Sequence, residues 1–526
     1  MTETKLSSDQ DFEFSDADYR VLKEQNISVE EARRQLQLLK QPPYFAALDR
    51  SCTLGDGINL IDDSQHKSLL ELHDKAQAAG RFTKFVPASG AASRMFRDLL
   101  FFLDQSPFPT RAELDELAKT GSKEAKSVIK FLANINHFAF HDHLQKQFNE
   151  ELSILKHQDG YTEVLRMLLT SDGLNYAELP KGVLPFNVYS GDVRTSFEEH
   201  IVEAAHTIKD SSGNCHLHFT VSKEHLSRFQ ELLESSREKY EKAYNIKLDV
   251  SFSLQKNSTN MLSLDSNGQP SHDEKGRLML RPGGHGALIE NLGDLQADVV
   301  FIKNIDNVQH DNSKEPTLIY KKILSGFLLQ TEEELFSTLR KLESSGITDA
   351  EIEEILKYAK NSLHINVKSS TWLQLGSLEN KREFLFNKLN RPVRVCGMVR
   401  NTGEPGGGPF WVSEDDGCTS MQIVEGAQID PSSADQKAIF NSSTHFNPVD
   451  IVCALKDYKG NHFDLRNFIN HEAIIKTKKS YKGRDLVACE RPGLWNGSMA
   501  DWITLFVDVP ESTFTPVKTV LDFLRK

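Results

Sequence analysis

The sequence predicts an α/β fold with a mixed, largely parallel sheet flanked by helices. Three observations carry this. Apolar strand-like runs recur after Lys181: FNVYS, HLHFTV (His216 to Val221), LDVSFSLQ and VVFIKNID (Val299 to Asp306). Amphipathic helical stretches separate them, TSFEEHIVEAAHTI and KEHLSRFQELLESSREKY among them, as parallel strands require. Finally, FVPASGAASRM (Phe85 to Met95) joins an apolar strand end to a helical run through six small residues.

Length and composition narrow the class. A chain of 526 residues implies roughly two to four domains. Its 39% hydrophobic content is enough for a large core, and a net charge of −13 gives no bulk basic footprint for nucleic acid. The six cysteines (Cys52, Cys215, Cys396, Cys418, Cys453 and Cys489) are far apart and form no CxxC pair, so reduced thiols are the simplest reading. The start, MTETKLSSDQDFEF, lacks the apolar run of a signal peptide, and no stretch is long enough to span a bilayer. The expectation is a soluble, cytoplasmic protein that acts on neither nucleic acid nor membranes.

In chain order, residues 1–79 read as a helical N-terminal cap. SVEEARRQLQLL has Ser28 as its capping candidate, CTLGDGINLI reads as a loop, and SLLELHDKAQAAG is a helix ending at Gly80. Residues 80–526 read as the α/β domain. A helical insertion at about 107–178 interrupts it (RAELDELAKT, EAKSVIKFLANI, HDHLQKQFNEELSIL, TEVLRMLLTS), either a lid or a scaffold layer. A further helical stretch covers about 325–363. The remainder mixes strands (PVRVCGMVR, MQIVEG, DIVCALKD, WITLFVDV) with a Gly-rich loop, EPGGGPF.

Several stretches have chemistry-bearing patterns. In the small-residue turn Ala88, Ser89, Gly90, Ala91, Ala92 and Ser93, free backbone N–H groups at a helix start suit an anion, and Arg94 adds a planar charged fork. The alternative is an ordinary strand-to-helix turn. Lys181, between Pro180 and Gly182, is a candidate point charge for phosphate, against the plain alternative of a solvated loop lysine. RPGGHGALIENL sets His285 among glycines at a helix start, as a ligand-facing loop or a structural histidine. VVFIKNIDNV delivers Asp306 at a strand's carboxyl end, where ligands of open α/β sheets bind, and a carboxylate near phosphates suits Mg²⁺. An Asx turn is the alternative. Lys518 opens the last helix in FTPVKTVLDFL.

Taken together and in this order, PASGAASRM, LPKGVLPF, PGGHG, NIDN and FTPVK resemble the motifs of the UDP-sugar pyrophosphorylases, within the sugar-1-phosphate nucleotidyltransferases of GT-A-type, Rossmann-like fold. FSLQKN resembles that family's base-contacting glutamine at Gln255, and MQIVEG its sugar-side glutamate at Glu425. The chain also resembles an uncharacterised bacterial domain family without an assigned activity. It departs from the pyrophosphorylases where they have glycines at Ser89 and Ala92, in the helical block between loop and Pro-Lys, and in lacking a β-helix domain after Lys518.

The resemblance implies transfer of a nucleotidyl group from a nucleoside triphosphate, UTP favoured, to a sugar 1-phosphate with release of pyrophosphate. It implies that residues 88–93 and Arg94 hold the triphosphate and that Lys181 and Lys518 act as catalytic cations. Asp306, with Asp450, would hold Mg²⁺. Gln255, Gly284 and His285 would contact the base, and Glu425 and Asn447 the sugar. A non-catalytic nucleotide-sugar binder and a GT-A glycosyltransferase are the alternatives. The latter normally offers an acidic D-x-D site, whereas Asp415–Asp416 lies in a loop.

Overall fold

The computed structural model describes residues 12–105, 108–148, 152, 160–403, 406–481 and 484–525. Its centre is a nine-stranded sheet. The spatial order is Thr53–Leu54, Gly57–Asn59, Ile503–Asp508, Val393–Arg400, His445–Ala454, Val299–Ile302, Phe82–Pro87, Asn214–Val221 and Lys247–Leu254. Every neighbouring pair is parallel except the two made by His445–Ala454. The parallel strands therefore all end on one edge of the sheet, and His445–Ala454 begins there. The α/β expectation holds, with near-continuous apolar runs such as Val299, Val300, Phe301 and Ile302 buried on both faces.

Two local expectations are corrected. FNVYS does not join this sheet; Pro185–Tyr189 pairs antiparallel with Asp192–Thr195 as a separate hairpin, closed through Gly191 at φ +76°. An apolar run looks alike in either setting, and its nearest partner in sequence wins. The stretch read as a loop after Ser51 contains Thr53–Leu54 and Gly57–Asn59, short edge strands of the large sheet. The N-terminal helices Asp16–Glu24 and Val29–Lys40 form as capped by Ser15 and Ser28. They bury Leu22, Leu36 and Leu39 against a second, four-stranded sheet that includes Met261–Leu264 and Arg484–Glu490.

Between Arg97 and Leu169 the described elements are helices, capped at Thr110 and Ser122. Much of the expected HDHLQKQFNEELSIL helix lies outside the described residues; His141–Gln145 is its described part. These helices share their own core, with Phe96, Leu99, Phe131, Phe140 and Leu165 fully buried. That core also takes in Val517, Val520 and Phe523 from the far end of the chain.

Beneath the carboxyl edge lies a buried charge cluster. Glu203, on helix Ser196–Thr207, receives Lys84 Nζ at 2.6 Å, Lys303 Nζ at 2.7 Å and Lys321 Nζ at 3.2 Å. Asp450 pairs with Lys321 and lies 3.6 Å from Lys303 Nζ. Burial pushes the Lys84 ammonium down in pKa; it also works against Glu203, but the three lysines outweigh it and hold that carboxyl well below its usual range. Removing Glu203 would leave Lys84 without a carboxylate and Lys303 and Lys321 with Asp450 alone. Glu203→Ala is therefore expected to lose about 3–5 kcal/mol of stability, read as an earlier thermal unfolding transition.

Candidate functional site

The small-residue loop leaves strand Phe82–Pro87 at the carboxyl edge. Its ends are fixed: Ala88 N donates to Thr220 O, Ala92 N to Leu179 O, and Lys181 N to Gly90 O. Between them, the N–H groups of Ser89, Gly90 and Ala91 have no partner among the described residues, and all three residues are exposed. Ala92 is fully buried and Ser93 half-buried, while Arg94 is exposed and unpaired among the described residues. The backbone is thus free to meet an anion where the sequence suggested.

Lys181, Asp306 and Lys518 converge on this loop. Lys181 Nζ lies 2.8 Å from Asp306 Oδ2 and donates to Val517 O at 2.8 Å. Lys518 Nζ lies 3.5 Å from the same Oδ2. Val517 N donates to Asp306 O and Val520 N to Met95 O, so the tail carrying Lys518 is stitched to the residue after Arg94. Asp306 is buried, and Lys518 keeps 59% of its side chain exposed. Burial raises the Asp306 carboxyl, but the Lys181 and Lys518 ammonium groups outweigh it and hold it below the usual carboxylate range. Helix Ser196–Thr207 sets the position: Ser196 Oγ donates to Ile305 O, and His200 Nε2 approaches it at 3.3 Å.

The base-side candidates cluster at the end of strand Lys247–Leu254. Gln255 follows it directly, and Asn291 pins helix Leu288–Asp294 to Ser253 and Leu254 O. The PGGHG glycines have a structural reason. A Cβ at Gly283 would lie 2.3 Å from Thr259 O, and one at Gly286 would lie 1.9 Å from Pro492 O. Gly284 holds φ +75° beside Glu490. His285 packs on Trp495 with its Nε2 buried and unpartnered, and burial lowers its pKa.

A cleft of about 520 Å³ is lined by Gly407, Gly408, Phe410, Glu425, Phe440 and Phe446 among others. Phe446 joins it to the tail through an edge-on contact with Phe514, ring centroids 5.1 Å apart. Asn447 lies in strand His445–Ala454 at this edge, and its side chain is outside the described residues. The sequence reading missed the aromatic walls and Glu490. Three phenylalanines scattered over three elements leave no local signal.

For a metal, the donors divide unevenly. Both lysines reach Asp306 Oδ2, and Oδ1 has no partner among the described residues, so one oxygen fits a cation that keeps phosphates and water. Asp450 does not join it. Its carboxylate belongs to Lys321 and Lys303 in the buried cluster, and no contact with Asp306 occurs among the described residues. Glu414, Asp416 and Cys418 also lie together, but Lys388 reaches Glu414 at 2.9 Å and Asp416 at 2.5 Å. Asp416 of the Asp415–Asp416 loop is thus already paired with a lysine. No helix among the described residues is long and apolar enough to cross a membrane.

Residues 15–526 match the family model described as a domain of unknown function, DUF4301. The chain belongs to this family. No curated protein matches the sequence. Among solved structures, this DUF4301 chain is similar to the UDP-N-acetylglucosamine pyrophosphorylase of Trypanosoma brucei, with 12% identity, 97% of this chain and 79% of that one covered, and a TM-score of 0.48. It is also similar to the UDP-glucose pyrophosphorylase of Leishmania major, at 11% identity, 97% and 79% coverage and a TM-score of 0.44.

The Asp306 pairing has a pH signature. A carboxylate held below its ordinary range contributes stability that is full at neutral pH and is lost as pH falls through that lowered range. Asp306→Asn is expected to melt earlier than the parent at pH 7, with the gap shrinking below about pH 4. Parallel melting curves across pH check this; a gap that widens in acid contradicts it.

Proposed function

We propose that the protein is a sugar-1-phosphate nucleotidyltransferase that favours UTP. The observation that carries this reading is the convergence of Lys181 and Lys518 on Asp306, beside an exposed loop whose N–H groups, like Arg94, have no partner among the described residues. Such a site can hold two phosphorylated molecules side by side. In the reaction, a sugar 1-phosphate oxygen attacks the α-phosphorus of the triphosphate, and pyrophosphate leaves. The protein's part is alignment of two polyanions and neutralisation of charge that grows in the transition state.

The residues divide that work. The 88–93 loop and Arg94 hold the triphosphate through backbone donors and a bidentate fork. Phosphate oxygens displace Asp306 as partner of Lys181, which then meets the α-phosphate or the departing pyrophosphate, while Lys518 holds the sugar phosphate. Gln255 and the Gly284–His285 turn face the base. Glu425 and Asn447 are on the sugar side. Asp306 would hold Mg²⁺, which when bound supplies positive charge to the phosphates. A second reading, a nucleotide-sugar binder without turnover, draws on the buried Ala92 and on the bridge of Ala91 to Pro180, which close the loop on one side.

The test is pyrophosphate release by the purified protein with Mg²⁺, a panel of nucleoside triphosphates and a panel of sugar 1-phosphates. Arg94→Ala, Lys181→Ala and Lys518→Ala should each cut kcat/KM by about 100-fold or more. A folded protein that releases no pyrophosphate with any pair overturns the reading; binding of UDP-sugars without turnover then selects the second.

A further inference from the structure

We propose that Arg491 positions the base side of the site, holding the segment after Gln255 and the Gly284–His285 turn at the spacing a nucleotide base requires. This rests on the nucleotidyltransferase reading, which gives Gln255, Gly284 and His285 to the base, and adds the residue that sets them relative to each other. The second sheet shows where such a residue is needed. Its strand Met261–Leu264 pairs antiparallel with Leu280–Arg281 and with Arg484–Glu490. Met261 therefore opens its strand at the edge where Arg281 and Glu490 close theirs. Three segments meet the sheet at that edge: residues 255–260, residues 282–287 and the stretch that starts at Arg491.

Arg491 bonds to both of the other segments. Its backbone N–H donates to Gly283 O at 2.8 Å. Its guanidinium donates through Nε to Thr259 O at 2.9 Å and through Nη2 to Ser258 O at 3.1 Å. Nη1 lies 3.4 Å from Glu290 Oε1, on the helix Leu288–Asp294 that follows the turn. Only 15% of the arginine side chain is exposed. Its stem runs along Gly283: a Cβ there would lie 3.3 Å from Arg491 Cγ and Cδ, and 2.3 Å from Thr259 O. With no side chain at Gly283, the turn closes on Thr259 and on the arginine at once.

The acceptor set suits arginine alone. Two backbone carbonyls and a carboxylate are met by one rigid planar fork, where a lysine would bring a point charge on a flexible stem. The far side of the base region is held by a different residue. Asn291 donates to Ser253 Oγ and to Leu254 O, directly before Gln255. Asn291 thus ties helix Leu288–Asp294 to the large sheet, and Arg491 ties the same helix, the turn and residues 258–259 to the second sheet. No hydrogen bond or ion pair joins Arg491 to residues 88–94, Lys181, Asp306 or Lys518 among the described residues. Loosening the arginine should therefore weaken contacts to a base and leave contacts to phosphates as they are. A residue that merely supported the fold would not split the two.

The experiment compares a ligand that has a base with one that lacks it. UTP and inorganic tripolyphosphate are titrated by calorimetry, with Mg²⁺ present, into the full-length protein and into Arg491→Met and Arg491→Lys. The parent is expected to prefer UTP. Arg491→Met should cut UTP affinity about tenfold or more while tripolyphosphate affinity stays the same, and Arg491→Lys should recover only part of the loss. Pyrophosphate release with UTP and a panel of sugar 1-phosphates is measured alongside. The expected split without any release supports the positioning role and removes the transferase reading. Release by the parent, with the ratio of the two affinities unchanged in folded Arg491→Met, keeps the transferase and overturns the positioning role. An equal fall in both affinities, or a parent that binds UTP no better than tripolyphosphate, also overturns it. If Arg491→Met does not fold, Arg491→Lys and Glu290→Ala, which frees one branch of the fork, decide by the same ratio.

Discussion

Glu203 is the contact on which the rest leans. It sits under the carboxyl edge and gathers lysines from strand Phe82–Pro87, from the residue after strand Val299–Ile302 and from helix Glu315–Glu343. Asp450 closes the group from strand His445–Ala454. Five elements thus meet at charges that water does not reach. Replacing such a group by apolar residues is often neutral or stabilising, so its presence is weak evidence for stability. Its geometric effect is more specific. Lys303, Ile305 and Asp306 lie within one short stretch after the strand, and Ser196 and His200 from Glu203's helix hold Ile305 O. The position of Asp306 between its two lysines follows from that packing.

The candidate site lies where two hydrophobic cores meet. Asp306 leaves a strand of the large sheet core. The cations come on segments anchored in the helical core: Ala92 and Met95 flank Arg94, Leu179 and Leu184 flank Lys181, and Val517 and Val520 flank Lys518. A shift of one core against the other moves all three cations together relative to Asp306. The helices between 107 and 178 therefore bear on the site through these flanking residues, whether they act as lid or scaffold.

The sequence made the sheet class legible because buried parallel strands leave unbroken apolar runs, and it made the turn at Ala88 legible because six small residues follow an apolar strand end there. Lys181, Asp306 and Lys518 were legible only as an ordered set, since each alone reads as a surface or turn residue. The hairpin at Pro185–Tyr189 was not, because partner choice depends on chain path rather than on composition. Asp450 misled for a related reason. A strand-borne aspartate looks the same whether it faces a ligand or a buried lysine, and Lys321, its partner, lies 129 positions away. Two of the glycines around His285 also have a local reason, since a Cβ at Gly283 or Gly286 would meet Thr259 O or Pro492 O.

The tail has a consequence for how the molecule is made. Phe523 packs edge-on against Phe138, Phe140 and Phe186, and these are translated long before it, with the whole Val393–Asp508 half of the sheet in between. On the ribosome the helical region must wait with that hydrophobic hole open. The same late residues bring Lys518 to Asp306 and Lys181. Closure of the helical core and the pairing of Lys518 with Asp306 are therefore a single late event, and a nascent chain stalled before it is exposed to chaperones and to aggregation.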